Sequence, residues 1–282
     1  MKVILTGATG FTGSHLLAQL LERGIRPICF VRPASAPLQG VPTITGDLAD
    51  PQFPEADVLL NTASIGFGHG PAIVAAAQRA GIRRAIFIST TAIFTTLNAK
   101  TKSVRMAAEE TIRNSGLQWT IIRPTMIYGT ARDRNMVRLV RYLSRWPVMP
   151  VGGRGRHLLQ PVHVDDVARA MLLALDHDVS IGRAYNVAGK APLTFNQVID
   201  VVAAQLGKRV IKVHLPVTAV ASMLALAERA KLRLPVKSEQ IRRLNEDKAF
   251  DYSEAARDLG YAPIPFEEGI AREIESMGLR RK

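Results

Sequence analysis

Eight residues near the start of the chain, Thr6-Gly7-Ala8-Thr9-Gly10-Phe11-Thr12-Gly13, carry its strongest chemical signal. They lie between a short apolar run, residues 3–5, and a stretch with Leu16, Leu17, Leu20 and Leu21 at helical spacing. Glycines at 7, 10 and 13 suit a turn that bends tightly, admits a pyrophosphate to the backbone and packs a helix on a strand. The unpaired N–H groups at the start of such a helix, with the positive end of its dipole, attract phosphate. The loop therefore points to dinucleotide binding. Elsewhere His163 stands beside Asp165 and Asp166, and His69 lies in the loop Gly66–Pro71. The first set reads as a strand–helix junction with Asp165 as N-cap, the second as a turn histidine, and no metal site is expected. Cys29 is the sole cysteine, which excludes an intrachain disulfide and a multi-cysteine metal site.

The elements that must position this loop alternate. Strands are predicted at residues 3–5, 27–31, 42–45, 57–60, 85–89 and 119–123, with helices at 14–23, 71–80 and 102–114. This rhythm implies an α/β, doubly wound parallel sheet with helices on both faces. After Pro124 the chain reads as a helix at 132–146, a glycine-rich loop at 151–155, a strand-like run at 158–163, a helix at 165–176 and a strand at 184–187. The remainder reads as mostly helical, with a strand near 209–214. A sheet domain, 1–125 joined by 161–188, and a smaller, mostly helical lobe, 126–160 and 189–282, are expected.

With 282 residues, 47% hydrophobic and 22% charged, the chain is not of disordered composition. Its net charge of +13 attracts anions such as nucleotides, sugar phosphates, nucleic acid or acidic lipid. The longest apolar stretch outside the strands, residues 216–227, falls short of the roughly 20 residues that span a bilayer. No secretory signal is visible, and a cytoplasmic protein is expected.

The glycine loop resembles that of the extended and atypical short-chain dehydrogenase/reductases, which include nucleotide-sugar epimerases and dehydratases. Further stretches resemble that family in order: Gly46-Asp47-Leu48, Asn61-Thr62-Ala63-Ser64, Ser89-Thr90-Thr91, Arg123-Pro124, Tyr128-Gly129, Pro161 to Ala168 and Tyr185-Asn186-Val187. The resemblance implies a Rossmann sheet. It also implies a cofactor held by Gly7, Thr9, Gly10, Phe11, Thr12 and Gly13, by Asp47 and Leu48 on the adenine side, and along Asn61, Ala63 and Ser89. An acid after the second strand would mark NAD, but none occurs from Pro27 to Thr45, and Arg32 stands about where it would be. A guanidinium pairs well with a 2′-phosphate, so NADP is favoured over NAD.

Family enzymes place a hydroxyl after the fifth strand and a tyrosine and lysine four apart on the next helix, where they exchange a proton with substrate. Thr90 matches the hydroxyl. The tyrosine position falls on Thr101 and the lysine position on Arg105, and no tyrosine occurs before Trp119. Two readings stay open. In one, the protein transfers hydride while Arg105 holds a developing negative charge, the proton coming from Thr90, Thr91, His69, Tyr128 or the substrate. In the other it binds NADP(H) and catalyses nothing, similar to the nucleotide-binding accessory subunit of respiratory complex I. A small anionic substrate, with a nucleotide-linked sugar as a candidate in the first reading, fits the basic run Arg132, Arg134, Arg138, Arg141 and Arg145. A solvated helix face fits it equally. Nucleic acid is not expected, because aromatics are only 6% and do not interleave with the basic residues. Peripheral membrane contact is left open by the stretch 215–234, with its basic residues Arg229, Lys231 and Arg233.

Overall fold

In the computed structural model, residues 1–35, 38–96, 100–216 and 246–279 are described; the basic segments 229–237 and 280–282 and most of the apolar stretch after Leu215 lie outside them. Strands β1 (Val3–Thr6), β2 (Ile28–Val31), β3 (Thr43–Thr45), β4 (Val58–Asn61), β5 (Arg84–Ile88) and β6 (Gln118–Pro124) alternate with helices α1 (Phe11–Glu22), α2 (Gly70–Arg79) and α3 (Lys100–Arg113). Two-residue strands β7 (Ile127–Tyr128), β9 (Leu158–Leu159) and β10 (Val162–His163) follow, with α4 (Met136–Arg145) and β8 (Val148–Gly152) between the first two. The chain continues through α5 (Val164–Asp176), β11 (Arg183–Val187), β12 (Leu193–Thr194), α6 (Phe195–Gln205) and β13 (Ile211–Leu215) to α7 (Ser253–Leu259) and α8 (Phe266–Ser276).

The chain divides into two compact units. The first comprises Met1–Ile127, Val162–Ala188 and Asp251–Pro263. Its seven-stranded sheet has the order β11-β6-β5-β4-β1-β2-β3, and all six pairings are parallel. Such a sheet is covered on both faces, which is why its central strands read as continuous apolar runs. Val3, Leu5, Val58, Leu60, Ile86 and Ile122 pack toward α1, α5 and α7, while Ile4, Leu59, Phe87 and Ile121 pack toward α2 and α3. This is the Rossmann-type doubly wound sheet. At the start of β5 a buried arginine pins the sheet: Arg84 donates to the carbonyls of Gln118 and Ala174, both at 2.6 Å, and to the hydroxyls of Thr120 and Ser180. Burial pulls its pKa down to about 10, yet those bonds replace the lost water.

The second unit comprises Tyr128–Pro161, Gly189–Phe250 and Ile264–Lys282. It holds α4, α6 and α8 and two small sheets, β8 with β13 parallel and β9 with β12 antiparallel. Residues 151–155, read as a loop, begin inside β8, because β13 lies some sixty residues later and supplies hydrogen bonds that no local pattern announces. Helix α4 starts at Met136 rather than 132. The Asp133 carboxylate accepts from the backbone N–H groups of Asn135, Met136 and Val137 and so sets the start. Residues 251–263, assigned to the lobe from sequence, instead belong to the first unit. Ala255, Leu259 and Tyr261 join its core, and the Tyr261 hydroxyl donates to the Ala188 carbonyl at 2.8 Å. The N-cap of α5 is His163, whose ring nitrogen accepts from the Asp165 N–H, so Asp165 lies in the first turn and takes His15 at 2.6 Å.

Candidate functional site

Because β1 to β5 are parallel, the sequence-predicted residues of the first unit emerge at one edge, past the C-terminal ends of the strands. In open α/β sheets this is where ligands bind, at the point where strand order reverses, here between β1 and β4. Gly7 follows β1 with φ of +73°, a conformation that disfavours other residues, and an added Cβ would lie 2.7 Å from the Thr62 hydroxyl. Gly13, inside α1, sits so close that a Cβ would run into the Gly7 carbonyl oxygen and the Thr62 hydroxyl. These two glycines serve the protein's own packing. Gly10 is different. Its φ is −73°, it is exposed, and a Cβ there would meet only the Gly7 carbonyl oxygen, at 3.0 Å. Nothing in the chain's backbone conformation demands glycine at 10, whereas a phosphate approaching the helix would.

Helix α1 begins at this point with no side chain capping it and no acid in its first turn. Its leading N–H groups and dipole are thus left to an anion. Phe11 is half-buried and stacks edge-on with His15, while Thr12 is buried. Thr9 is half-buried within the turn. The residues therefore fit the phosphates of a dinucleotide.

Hydroxyl and amide groups fix the strand ends around the turn. Thr6 donates to Asn61 Oδ1 at 2.6 Å, Asn61 Nδ2 donates to the Ala63 carbonyl at 2.9 Å, and Thr62 donates to the Thr6 carbonyl at 2.7 Å. Asn61 is fully buried, so its amide shapes the β4 turn, and Ala63 is left at the surface of the groove. Arg32 is exposed immediately after β2 and has no ion pair among the described residues. Asp47 is exposed after β3; its Oδ1 accepts from the Ala49 N–H at 3.0 Å. Leu48 packs partly into the core, and Gly46 is needed because Phe30 presses on it.

Thr101 and Arg105, the positions that the family resemblance assigns to proton transfer, lie on α3, which packs on the short 3-10 turns Ile65–Phe67 and Thr91–Phe94 after β4 and β5. Thr101 and Arg105 share one helix face, and Arg105 Nη1 donates to Thr101 Oγ1 at 2.7 Å. Arg105 lies against the backbone of Gly66, and this burial lowers its guanidinium pKa. A guanidinium still keeps its proton at neutral pH. Thr90 Oγ accepts from the Ala92 N–H at 3.1 Å, which leaves the hydroxyl hydrogen to donate elsewhere. The Thr91 hydroxyl donates to the Pro124 carbonyl instead, and Tyr128 is buried in the second unit with its hydroxyl turned to Phe266 and Gly269. Both lose their place as proton sources.

Sequence reasoning missed the group that holds α3. Glu109, one turn beyond Arg105, is buried and paired with Arg123 at the end of β6, whose Nε donates to it at 3.0 Å and whose Nη2 also bonds it. Burial would raise the Glu109 pKa. The hydrogen bond from Arg123, the nearby buried Ser89 hydroxyl and the charges of Arg123 and Arg113 take it below the ordinary value instead. Arg123 also lies over the Phe94 ring, 5.2 Å from its centre. The signal was an acid and an arginine fourteen residues apart, a spacing that marks nothing until helix and strand are seen side by side. Cys29 is buried, and its thiol is pushed up to about 11 by that burial, so it is inert. Among the described residues no cluster could hold a metal ion, and no helix is long and apolar enough to cross a membrane.

Comparison with known proteins agrees with this geometry. Curated relatives include a 2-alkyl-3-oxoalkanoate reductase of Stenotrophomonas maltophilia, 25% identical over 96% of this chain and 98% of that one. Another is the mitochondrial NADH dehydrogenase [ubiquinone] 1 alpha subcomplex subunit 9 of Arabidopsis thaliana, 26% identical over 85% of this chain and 67% of that one. An uncharacterized protein of Mycobacterium tuberculosis is 29% identical over 77% of this chain, which spans only 24% of its length. Among solved structures, a UDP-glucuronic acid 4-epimerase from Bacillus cereus in complex with NAD superposes with a TM-score of 0.78 at 17% identity, covering 100% of both chains. That likeness concerns the fold. Residues 7–178, which contain the glycine loop, the β4 turn and α3, match the family described as NAD(P)H-binding. The chain belongs to that NAD(P)H-binding family, and its relatives fit an atypical short-chain dehydrogenase/reductase.

Proposed function

We propose that the chain binds NADP(H) and acts as an oxidoreductase of the short-chain type, on a carbonyl or carbinol carbon of a small anionic substrate, with nucleotide-linked sugars among the candidates. The observation that carries this reading is the Thr101–Arg105 pair, held on α3 beside the turns after β4 and β5 in a chain whose glycine cradle is intact. The α1 N-terminus and Gly10 hold the pyrophosphate, Arg32 meets the 2′-phosphate, and the second oxygen of Asp47 accepts from the adenine amino group. Leu48, Ala63 and Ser89 line the cofactor. When bound, the nicotinamide supplies or accepts hydride. Thr90 donates its hydroxyl hydrogen to the substrate oxygen, and Arg105 stabilises negative charge developing there. Neither Thr101 nor Arg105 releases a proton near neutral pH. The proton therefore passes through water or through His69, at the start of α2.

A second reading rests on the same substitution. Without a tyrosine and lysine on α3, the protein would hold NADP(H) as an inert prosthetic group, and the complex I subunit among its relatives supports that alternative.

Titration of NADPH and NADH by nicotinamide fluorescence, in wild type and Arg32→Ala, tests the binding half. NADPH is expected to bind tighter by about ten- to a hundredfold, the effect of one charged hydrogen-bonded pair, and the preference should vanish in the variant. Equal binding of both nucleotides by wild type would remove Arg32 from the site. Transfer of deuterium from 4-deuterated NADPH to a panel of carbonyl compounds then separates the two readings: labelled product supports the enzyme, and its absence with bound NADPH supports the inert form.

A further inference from the structure

One surface of the second unit carries the basic run that the sequence left divided between an anionic substrate and a solvated helix face. Between Arg132 and Arg156 the chain carries seven arginines and one acid, Asp133, which is buried beneath α4. Arg134, Arg138, Arg141 and Arg145 follow one another at helical spacing, and all four are exposed without an ion pair among the described residues. The opposite face of α4, Met136, Val137, Val140 and Leu143, is buried. Arg141 and Arg145 line a cleft of about 310 Å³ together with Ser144, Ser276, Met277 and Leu279.

Directly after Arg145 the surface turns apolar. Trp146 is 59% exposed, and β8 and β13 then pair with Val148 opposite Ile211 and Pro150 opposite Val213. Paired residues of a parallel sheet share a face, so these four side chains form one apolar surface, on which Ile211 is 66% exposed. The residues that alternate with them point the other way: Lys212 reaches Asp200 on α6, and Val151, next after Pro150, is buried. The two regions are joined, because Ile211 N–H donates to the Pro147 carbonyl and Lys208 Nζ to the Ser144 carbonyl.

Exposed arginines with a tryptophan and aliphatic side chains beside them match the two layers of a lipid interface, phosphate above and acyl chain below. Nucleic acid could use the arginines and the exposed rings of Tyr142 and Trp146, but it gains nothing from the four aliphatic residues beside them, which a bilayer would bury. We propose that this surface docks the protein on an anionic phospholipid bilayer, with Arg141 and Arg145 holding lipid phosphates and Trp146, Val148, Ile211 and Val213 entering the interface.

The test uses the full chain, phosphatidylcholine vesicles with or without 30% phosphatidylserine, and flotation. Trp146 emission should shift to the blue and be quenched by brominated acyl chains; the other tryptophan, Trp119, is buried and should stay silent. Arg141→Ala with Arg145→Ala should weaken binding to the anionic vesicles about thirtyfold, from the usual contribution of a basic residue at such a surface. Removing the same charge from the first unit, by Arg26→Ala with Arg83→Ala, should change it less than threefold. Ile211→Ser with Val213→Ser, which keeps Trp146 as the reporter, should sharply weaken the quenching while circular dichroism stays unchanged. Equal losses from both arginine pairs, binding without quenching, or no binding at all would overturn the proposal. Salt-sensitive binding of polyuridylate without vesicle binding would overturn it in favour of RNA.

Discussion

The turn after β1 and the face of α3 border the same edge of one sheet, yet they are built by opposite means. The turn itself is fixed by shape and by neutral hydrogen bonds: Gly7 against Thr62, Gly13 against Gly7, Thr6 on Asn61. On α3 the neighbourhood is fixed by buried charge, Glu109 against Arg123, with Arg105 lying on Gly66. The first region can bind without any group that titrates. The second is where a titrating group would be needed, and threonine and arginine stand there. Holding a dinucleotide and moving a proton are thus separable requirements, and in this chain the holding half is the complete one.

The largest effect expected from breaking that contrast comes from Gly13→Ala. Its Cβ would collide with backbone, which cannot rotate away as a side chain would, and such overpacking costs about 1–3 kcal/mol or more. Loss of NADPH binding together with a fall of several degrees in melting temperature is expected. Gly10→Ala is the matched contrast: its Cβ meets one backbone oxygen at 3.0 Å, so the melting temperature should fall clearly less than in Gly13→Ala while NADPH affinity drops at least tenfold. A Gly10→Ala protein that binds as well as wild type would mean that no phosphate approaches this turn.

Restoring the missing pair gives the next effect. Thr101 is exposed, so Thr101→Tyr needs no new space in the core, and Arg105→Lys completes the i, i+4 arrangement. With a reactive dicarbonyl as probe, NADPH oxidation should rise by of order a hundredfold, the lower end of what a positioned acid contributes, and should acquire a dependence on pH. An unchanged rate in a protein that still binds NADPH would show that proton transfer is not what limits it.

These experiments also mark what the sequence could and could not say. The glycine turn was legible because each requirement there is local: one strand, one bend, one helix start within twenty residues. The alternation of apolar runs and amphipathic helices gave the order of the sheet domain for the same reason. What escaped was settled by distance. Strand β8 needed β13, the segment Asp251–Pro263 needed the core formed by β11 and α5, and Glu109 needed Arg123. The capping of α4 escaped differently: Asp133 falls inside the helix read from 132, whereas its carboxylate is buried on three backbone N–H groups at the true helix start.

The smallest effect concerns pH, and it decides how any activity profile is to be read. Glu273 on α8 is fully buried in the second unit, where its Oε2 accepts from the Gly129 N–H at 3.0 Å. Burial, then the hydrogen bond and charge of Asp133, push its carboxyl up to about 9 from an ordinary 4.5, with the Gly129 bond pulling the other way. Above pH 4.5 the unfolded chain has lost this proton while the native one keeps it. Native protein then binds more protons, and stability falls as pH rises toward 9, by at most about 1.4 kcal/mol per pH unit from this one group. The contribution is whole only below 4.5. Glu273→Gln should flatten the decline between pH 5 and 9 and raise the melting temperature at pH 8 by a few degrees. Because the α3 face offers no group that titrates in this range, a loss of activity at high pH in wild type should follow that unfolding and disappear in the Glu273→Gln variant. A profile that keeps its shape in the variant would place a titrating group at the site itself, and His69 would be the residue to replace next.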